Sequence, residues 1–310
     1  MVKGKINILI LFLFAALAWS ESFAQRDSVD KATFILGDQT TPAEVRTKLA
    51  LELIDKAIMH PECVNDGYSW YIRGFIYKEW YKAFESQNKK SKTRMDAVDH
   101  LKKSLELYKS DTTKSAGETR NAIRLTLKYL GSTFYNDAGT SLDTINYKTA
   151  LVNYDKFKEC MIAFDANYNI QPYEINFKNV LADQYGKIFR NNIKANQRFF
   201  GMAEIIYKEV IALDTNNWGS NYNLSMLYYN YGVDIINSMD IDLPIMDVDK
   251  IQDEARELFK KALPYARKAE TIKPKHRDVL TCLQGIYFSL YEFEKSDEYK
   301  AKLDLIDKEK

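Results

Sequence analysis

The chain has few of the residues that make turns. Only 12 glycines and 6 prolines occur among its 310 residues, about 6% of the chain, whereas about 12% is ordinary for proteins. This scarcity argues against a β-sandwich, a barrel or a long disordered tail, because those architectures depend on frequent turn residues. It favours long helices joined by short connections, in one or two domains.

Cysteine is scarce as well. Cys63, Cys160 and Cys282 are odd in number and about a hundred residues apart, which is not the pattern of a disulfide framework. We expect them to be small buried apolar side chains on helices. His60 and Cys63 form only half of a zinc-binding pattern, and no second pair follows, so the sequence predicts no metal site there.

Neither sign of charge is in excess, and the common catalytic motifs are missing. The 44 Lys+Arg are balanced by 43 Asp+Glu, which argues against a nucleic-acid scaffold or a polybasic membrane binder. No dinucleotide-binding, Walker A, zinc-protease or nucleophile-elbow motif is present. The three histidines, His60, His100 and His276, lie near helix ends or among charged residues and are expected to be solvated. We therefore predict no catalytic residue, no cofactor and no nucleic-acid partner.

The N-terminal segment has the pattern of a secretory signal. Lys3 and Lys5 precede an apolar run over residues 6–19, and Ser22 and Ala24 are small residues three and one positions before a cut. The run is shorter than the roughly 20 residues of a spanning helix, and no lipid-anchor cysteine follows it. We assign residues 1–24 to the signal, 25–40 to a linker and 41–310 to the folded domain. Loss of two lysines and Glu21 leaves 42 basic and 42 acidic residues.

Apolar residues recur at helical spacing through the rest of the chain, and no stretch alternates with period two. Thr41-Pro42-Ala43-Glu44 reads as a capping box at a helix start, and Asp249 with Gln252 reads as another. We predict about 11 helices, at 42–59, 66–87, 93–109, 117–138, 146–164, 173–194, 197–213, 218–238, 249–272, 276–291 and 293–307. The fold class is therefore all-α.

A repeated pattern of small and aromatic residues runs along these helices. Residues 203–231 read A-x3-Y-x2-V-x2-L and then N-x2-L-S-x2-Y, and residues 262–287 read A-x3-A-x2-A-x2-I and then L-x2-L-Q-x2-Y. Weaker copies place Gly74, Gly131 and Gly186 before an aromatic residue. A small side chain at this position lets two helices approach closely, while the aromatic ring fills the neighbouring gap.

In this pattern the chain resembles the tetratricopeptide repeat family. The resemblance implies antiparallel helical hairpins stacked into a right-handed solenoid, because each hairpin leaves an apolar face that only the next hairpin covers. The repeats depart from the family in spacing: successive small positions are 57, 55, 39 and 59 residues apart, not about 34. The chain therefore has longer helices or inserted turns.

The resemblance also implies where a partner binds, because ligand contacts in this family come from the inner face of each first helix. The corresponding residues here are Tyr71, Phe75, Lys128, Tyr135, Asn136, Lys187, Arg190, Asn191, Tyr222, Met226, Tyr229 and Asn230. Ser132, Asp183, Thr281 and Phe288 hold further positions of this kind. Ser132 stands where a lysine–asparagine carboxylate clamp would need asparagine. The alternative, that several of these rings only pack between hairpins, stays open.

The segment 239–249 carries four aspartates interleaved with apolar residues. Hard oxygen ligands of this kind suit Ca²⁺, but the glycine and glutamate of a calcium loop are replaced by Ile245 and Ile251. We expect a loop that packs its apolar residues on the helices, turns its aspartates to water and caps the next helix.

Together these features predict an exported scaffold that binds a protein or peptide along its concave face, without catalysis. The absence of a lipid-anchor cysteine favours the periplasm or the periplasmic side of an envelope assembly. After signal cleavage no spanning segment is expected. The alternative is a solute-binding protein or an enzyme that uses the helical array as a scaffold.

Overall fold

The computed structural model describes residues 26–240, 242 and 244–308. The predicted signal, residues 1–24, lies outside the described residues. The described part of the chain contains helices and connecting turns but no strand, which confirms the all-α fold class. No described helix is both long enough and apolar enough to cross a membrane.

Thirteen helices follow one another along the described residues. They are α1 (26–37), α2 (Ala43–Ala57), α3 (Pro61–Val64), α4 (Gly67–Trp80), α5 (Lys92–Leu107), α6 (Lys114–Thr140), α7 (Tyr147–Phe164), α8 (Gln171–Asn191), α9 (Gln197–Leu213), α10 (Trp218–Asn237), α11 (Ile245–Ile272), α12 (Arg277–Ser289) and α13 (Phe293–Lys308). A π-helical segment, Tyr81–Glu85, continues α4. Each of the eleven predicted helices corresponds to one of these.

Two helices were not predicted. The short α3 follows His60, whose Nδ1 accepts a hydrogen bond from the Glu62 N–H. Residues 26–37, which the sequence analysis treats as part of a linker, form α1 instead. Val29 and Ala32 on this helix are buried in a core with Ile54. The apolar stripe of α1 is only three turns long, so it is weak as a sequence signal but sufficient to pack.

The two predicted capping boxes are both wrong. Pro42 occupies the N-cap of α2 and offers no side-chain acceptor, while the Thr41 hydroxyl donates to Asp38 at 2.6 Å. Helix α11 begins at Ile245, so Asp249 lies inside it rather than at its start. Side-chain caps occur elsewhere, at Asp66, Ser91, Thr113 and Asn217.

The described residues divide into two compact units. Among the described residues, the first unit comprises residues 26–141 and Lys148–Asn169, and the second comprises Leu142–Tyr147 and the described residues from Ile170 to 308. In the first unit, α4 packs against α5. In the second unit, α8 packs against α9, α10 against α11, and α12 against α13. The architecture within each unit is thus an array of helical hairpins.

The cysteines follow the prediction, whereas His100 and His276 do not. All three cysteines are free and buried, and burial raises the pKa of Cys160 to about 12 and of Cys282 to about 11. His100 is not solvated: its ring lies 4.6 Å from that of Tyr77. His276 packs on Trp218, with ring centroids 4.5 Å apart.

The aspartate-rich segment also differs from expectation. Residues 245–249 are the first turn of α11 rather than a loop, and Ile245 and Met246 are 80% and 74% exposed instead of packed. Asp247 forms an ion pair with Lys250 at 3.1 Å. Among the described residues, no group of three or more His, Cys, Asp or Glu side chains is placed to hold a metal ion.

Candidate functional site

The candidate site is built around α10 in the second unit. Leu224, Ser225 and Tyr228 of this helix are buried. Tyr222 and Met226, one helical turn apart, are only partly buried. The apolar stripe of α10 therefore anchors the helix and leaves a second, partly exposed face with aromatic and amide side chains.

The first cavity lies between α8 and α10, with part of its wall from α9. Its volume is about 210 Å³. The lining residues are Asp183, Gly186, Phe189, Arg190, Tyr207, Tyr222, Asn223, Met226, Leu227, Asn230 and Tyr231. Aromatic rings, amides and one residue of each charge sign thus line a single small cavity.

The second cavity lies between α10 and α12, with a contribution from α13. Its volume is about 580 Å³. The lining residues are Tyr222, Met226, Tyr229, Arg277, Asp278, Thr281, Cys282, Gln284, Gly285, Phe288 and Ser296. Since Tyr222 and Met226 line both cavities, the two adjoin. We call the surface lined by these two sets of residues the groove.

The charges of the first cavity are unevenly paired. Asp183 forms an ion pair with Lys187 at 2.8 Å. Arg190 is exposed and forms no ion pair or hydrogen bond with any residue that the structure describes. Asp234 lies one turn beyond Asn230 on α10. Burial raises the pKa of Asp234, and the positive charge of Arg190 lowers it. Arg190 is thus a cation held near a carboxylate but beyond ion-pair distance.

Tyr207 forms the buried end of this cavity. Its side chain is 3% exposed. Burial raises the pKa of the phenol well above its usual value, Asp183 adds to the increase, and a hydrogen bond with Asn223 opposes it. Tyr207 therefore stays protonated and can act as a hydrogen-bond donor.

Trp218 positions Tyr222 between the two cavities. The two rings are stacked, with centroids 5.3 Å apart and planes 4° from parallel. The Lys273 Nζ lies 4.0 Å from the Trp218 ring centroid. Burial raises the pKa of Tyr222. Trp218 was not predicted as a site residue, although its spacing of four residues from Tyr222 is a signal of side-chain contact on a helix.

Tyr229 is held by packing more than Tyr222 is. Its ring lies 5.6 Å from that of Phe259, and a Cβ added to Gly285 would meet its Cζ at 2.9 Å. The side chain thus fills the space that Gly285 leaves on α12. Tyr229 lines the groove but fits the packing alternative that the sequence analysis left open.

An exposed aromatic cluster adjoins the groove at the α12–α13 turn. Phe288, which lines the second cavity, is 62% exposed and lies 5.6 Å from Phe293. Tyr291 is also 60% exposed and has a φ of 63°, the only positive φ of a non-glycine residue that the described chain contains. Exposed aromatic clusters of this kind are typical of interaction surfaces.

Five of the twelve predicted contact residues line the groove. They are Arg190, Tyr222, Met226, Tyr229 and Asn230. Lys187 and Asn191 are exposed on α8 but line neither cavity. The further positions Asp183, Thr281 and Phe288 also line it.

The other five predicted residues belong to the first unit. Tyr71 and Phe75 form a partly buried stripe on α4, with ring centroids 6.1 Å apart. Tyr135 packs on Phe157 at 4.8 Å. Lys128 and Asn136 are exposed on α6. Tyr135 is thus engaged in packing, whereas the α4 stripe and the two polar side chains remain accessible.

Comparisons with known proteins leave the family open. No protein-family model matches the chain, and no curated protein matches it. Among solved structures, it is similar to the protein described as "The hypoxic regulator of sterol synthesis Nro1 is a nuclear import adaptor", with a TM-score of 0.34 and 12% identity, covering 99% of this chain and 94% of that one. A likeness at this TM-score carries no argument about function.

Proposed function

We propose that the chain is a tetratricopeptide-like scaffold that binds a protein or peptide partner along the groove and has no catalytic role. The observation that carries this proposal is the adjoining of the two cavities at Tyr222 and Met226. A continuous groove between successive hairpins suits an extended segment better than a compact solute. Aromatic residues and arginine are also the side chains that dominate protein-binding surfaces.

We also propose that the protein is exported and works in the periplasm or in an envelope assembly. The charged, apolar and small-residue regions of residues 1–24 support this proposal. A mature chain without net charge would bind through aromatic and amide contacts rather than through a long-range field. The groove, with its tyrosines, asparagines and single unpaired arginine, fits that mode of binding.

The test is affinity capture of the full chain from cells that express it natively, with a matched pair of variants. Met226→Asp places a charge inside the groove, whereas Met202→Asp makes the same change on α9, where Met202 is 37% exposed and lines neither cavity. We expect Met226→Asp to weaken retention of a stoichiometric partner at least about tenfold, because truncating a central contact commonly costs over 1 kcal/mol. Met202→Asp should retain it.

Two results would contradict the proposal. If both methionine variants lose the partner equally, or both retain it, the partner does not bind in the groove. Recovery of no stoichiometric protein, together with tight binding of a small molecule, would favour the alternative of a solute-binding protein or an enzyme built on a helical scaffold.

A further inference from the structure

Gly186 creates space in the first cavity instead of bringing two helices together. A Cβ added to Gly74 would lie 2.7 Å from the Leu101 Cγ, which is too close for any real contact. A Cβ added to Gly186 would meet only the Leu227 Cδ1 at 3.7 Å, an ordinary van der Waals distance. Gly186 is therefore not required by helix packing. It lines the cavity, and the absence of a side chain there leaves room in the cavity.

The cavity has the size and lining to hold one aromatic side chain. Its volume is about 210 Å³, and an apolar cavity of about 150 Å³ is enough for benzene. Phe189 and Tyr231 form one wall, with ring centroids 5.0 Å apart at 89°. The Met226 thioether on α10 is a favourable neighbour for an aromatic ring.

The walls of the cavity are held in place before any partner binds. The Tyr231 hydroxyl accepts a hydrogen bond from Gln197 at 3.1 Å, and Trp218 stacks on Tyr222. Tyr207, which is 3% exposed, and Asn223 also line the cavity and place a phenol and an amide on its wall. Such preorganisation reduces the entropy lost on binding.

The charge at the mouth of the cavity favours an acidic neighbour. Lys187 is neutralised by Asp183 on the same helix. Arg190 has no ion-pair partner among the described residues. Its positive charge lowers the pKa of the nearby Asp234, which burial raises. A guanidinium with free donors binds a carboxylate in bidentate geometry.

We infer that the cavity at Gly186 binds a tyrosine side chain of an extended partner segment and that Arg190 pairs with an acidic side chain next to that tyrosine. This inference rests on the proposed function and specifies the chemistry of its partner. The anchor is one aromatic ring, and the adjoining second cavity is left for the residues that come next in the segment.

The test uses four short peptides as probes. Each is titrated into the full mature chain, and binding is measured by nuclear magnetic resonance. Acetyl-Gly-Glu-Tyr-Gly-amide is the expected ligand. Acetyl-Gly-Glu-Leu-Gly-amide lacks the ring, and acetyl-Gly-Lys-Tyr-Gly-amide reverses the charge. Acetyl-Gly-Gly-Gly-Tyr with a free carboxyl terminus supplies the carboxylate from the chain end instead. We expect the first peptide to bind at least about fivefold more tightly than each of the other three, with shifts at Gly186 and Tyr222.

Three variants assign the binding to the cavity. Gly186→Leu fills it and should abolish the preference for tyrosine over leucine, whereas Gly186→Ala should leave most of the space. Arg190→Gln should remove the preference for glutamate over lysine and keep that for tyrosine. If Gly186→Leu lowers the melting temperature, Met226→Trp fills the same cavity from α10 and provides the same readout.

Other outcomes overturn the inference. Equal affinity for all four peptides, tighter binding of the free carboxyl terminus, or unchanged binding by both filled variants would each contradict it. Retention of a natural partner by Gly186→Leu, together with its loss by Met226→Asp, would overturn this inference and leave the proposed function standing. If the wild-type chain binds none of the peptides and no natural partner, both this inference and the proposed function are contradicted.

Discussion

Glycine serves two opposite purposes in this chain. At Gly74, the leucine on the facing helix occupies the space that a side chain would need, so α4 and α5 approach closely. At Gly131, an added Cβ would collide with the terminal methyl of Met161 on α7 and lie 3.0 Å from the Cys160 Cβ. At Gly186, an added Cβ would make only an ordinary van der Waals contact, 3.7 Å from the Leu227 Cδ1. Of these three glycines, Gly74 and Gly131 permit close helix packing, whereas Gly186 lines a cavity.

Alanine substitution should separate these purposes. Gly74→Ala should lower the free energy of unfolding by about 1–3 kcal/mol, because the Leu101 side chain and backbone must move to admit the new methyl group. Gly186→Ala should raise it by up to about 1 kcal/mol, because alanine is the better helix former and meets no obstacle. Urea unfolding of the two variants measures both changes, and a loss of stability in Gly186→Ala would contradict the assignment of open space.

The α4–α5 hairpin contains a half-buried histidine that stays neutral. His100 lies between the rings of Trp70 and Tyr77, at centroid distances of 5.4 and 4.6 Å. Burial, aided by the positive charge of Arg73, lowers the pKa of His100 from 6.5 to about 3. Arg73 is itself held by Asp55 at 2.9 Å. The neutral imidazole therefore fills the space between the rings of Trp70 and Tyr77.

This hairpin should lose stability in acid. The unfolded chain binds a proton at His100 below about pH 6.5, whereas the folded chain does so only near pH 3. The stabilisation is thus complete above pH 6.5 and is lost as the pH falls towards 3. Between pH 7 and 5, the wild type should lose about 1–2 kcal/mol more free energy of unfolding than His100→Phe. Urea titrations at both pH values measure this difference, and parallel losses would refute the buried neutral state.

A second buried group joins several elements of the first unit. The Arg94 side chain is fully buried, and its guanidinium pairs with Asp137 of α6 at 2.7 Å. It also donates to the Tyr81 hydroxyl of the π-helical segment at 3.0 Å and to Asn153 of α7 at 2.9 Å. The Arg94 Cζ lies 4.0 Å from the Phe134 ring centroid. One side chain thus links α5 to three other elements.

Removing one partner of this pair should be costly. Arg94→Ala should lower the free energy of unfolding by about 3–5 kcal/mol, since it leaves the carboxylate of Asp137 without its cation. Replacing both partners, by Arg94→Met with Asp137→Leu, should cost clearly less than the single change. Guanidinium chloride unfolding, read by circular dichroism, compares the two. A double variant as unstable as Arg94→Ala would show that the ion pair is not the source of the loss.

The two compact units place the groove in the C-terminal half of the chain. The first unit contributes the α4 stripe of Tyr71 and Phe75, and the second contributes both cavities. The proposed export to the periplasm applies to the whole protein, not to one of its units. That proposal depends on residues 1–24 and on the absence of net charge in the remainder of the chain.

Export makes a direct prediction about the mature N-terminus. If the signal is removed after Ala24, where small side chains occupy residues 22 and 24, the protein recovered from its native cells begins at Gln25. Mass spectrometry of the N-terminal peptide checks this directly, with the protein produced without export as the reference. A native protein that still carries residues 1–24 would contradict the assignment of a cleaved signal.

The eleven predicted helices could be found from local pattern because helical hydrogen bonds and the spacing of apolar residues are local. Contacts between distant segments have no such signature. The docking of the short α1, the exposure of Ile245 and the burial of His100 depend on which faces meet, and local pattern misjudged all three. The capping predictions failed for a related reason, since a cap depends on the backbone angle at a single residue.

Composition and periodicity alone were enough to establish an all-α chain with small residues at helix contacts, because each helix carries its own apolar stripe and its own hydrogen bonds. The resemblance to the tetratricopeptide repeat family placed Tyr222, Met226 and Asn230 on one face of α10. Folding in three dimensions determined that Gly186 lines a cavity, that Trp218 stacks on Tyr222, and that Tyr229 both lines the groove and packs against Phe259 and Gly285. Those roles depend on the distances between α8, α10 and α12, which are set by the sum of many side-chain contacts and not by any one stretch of sequence.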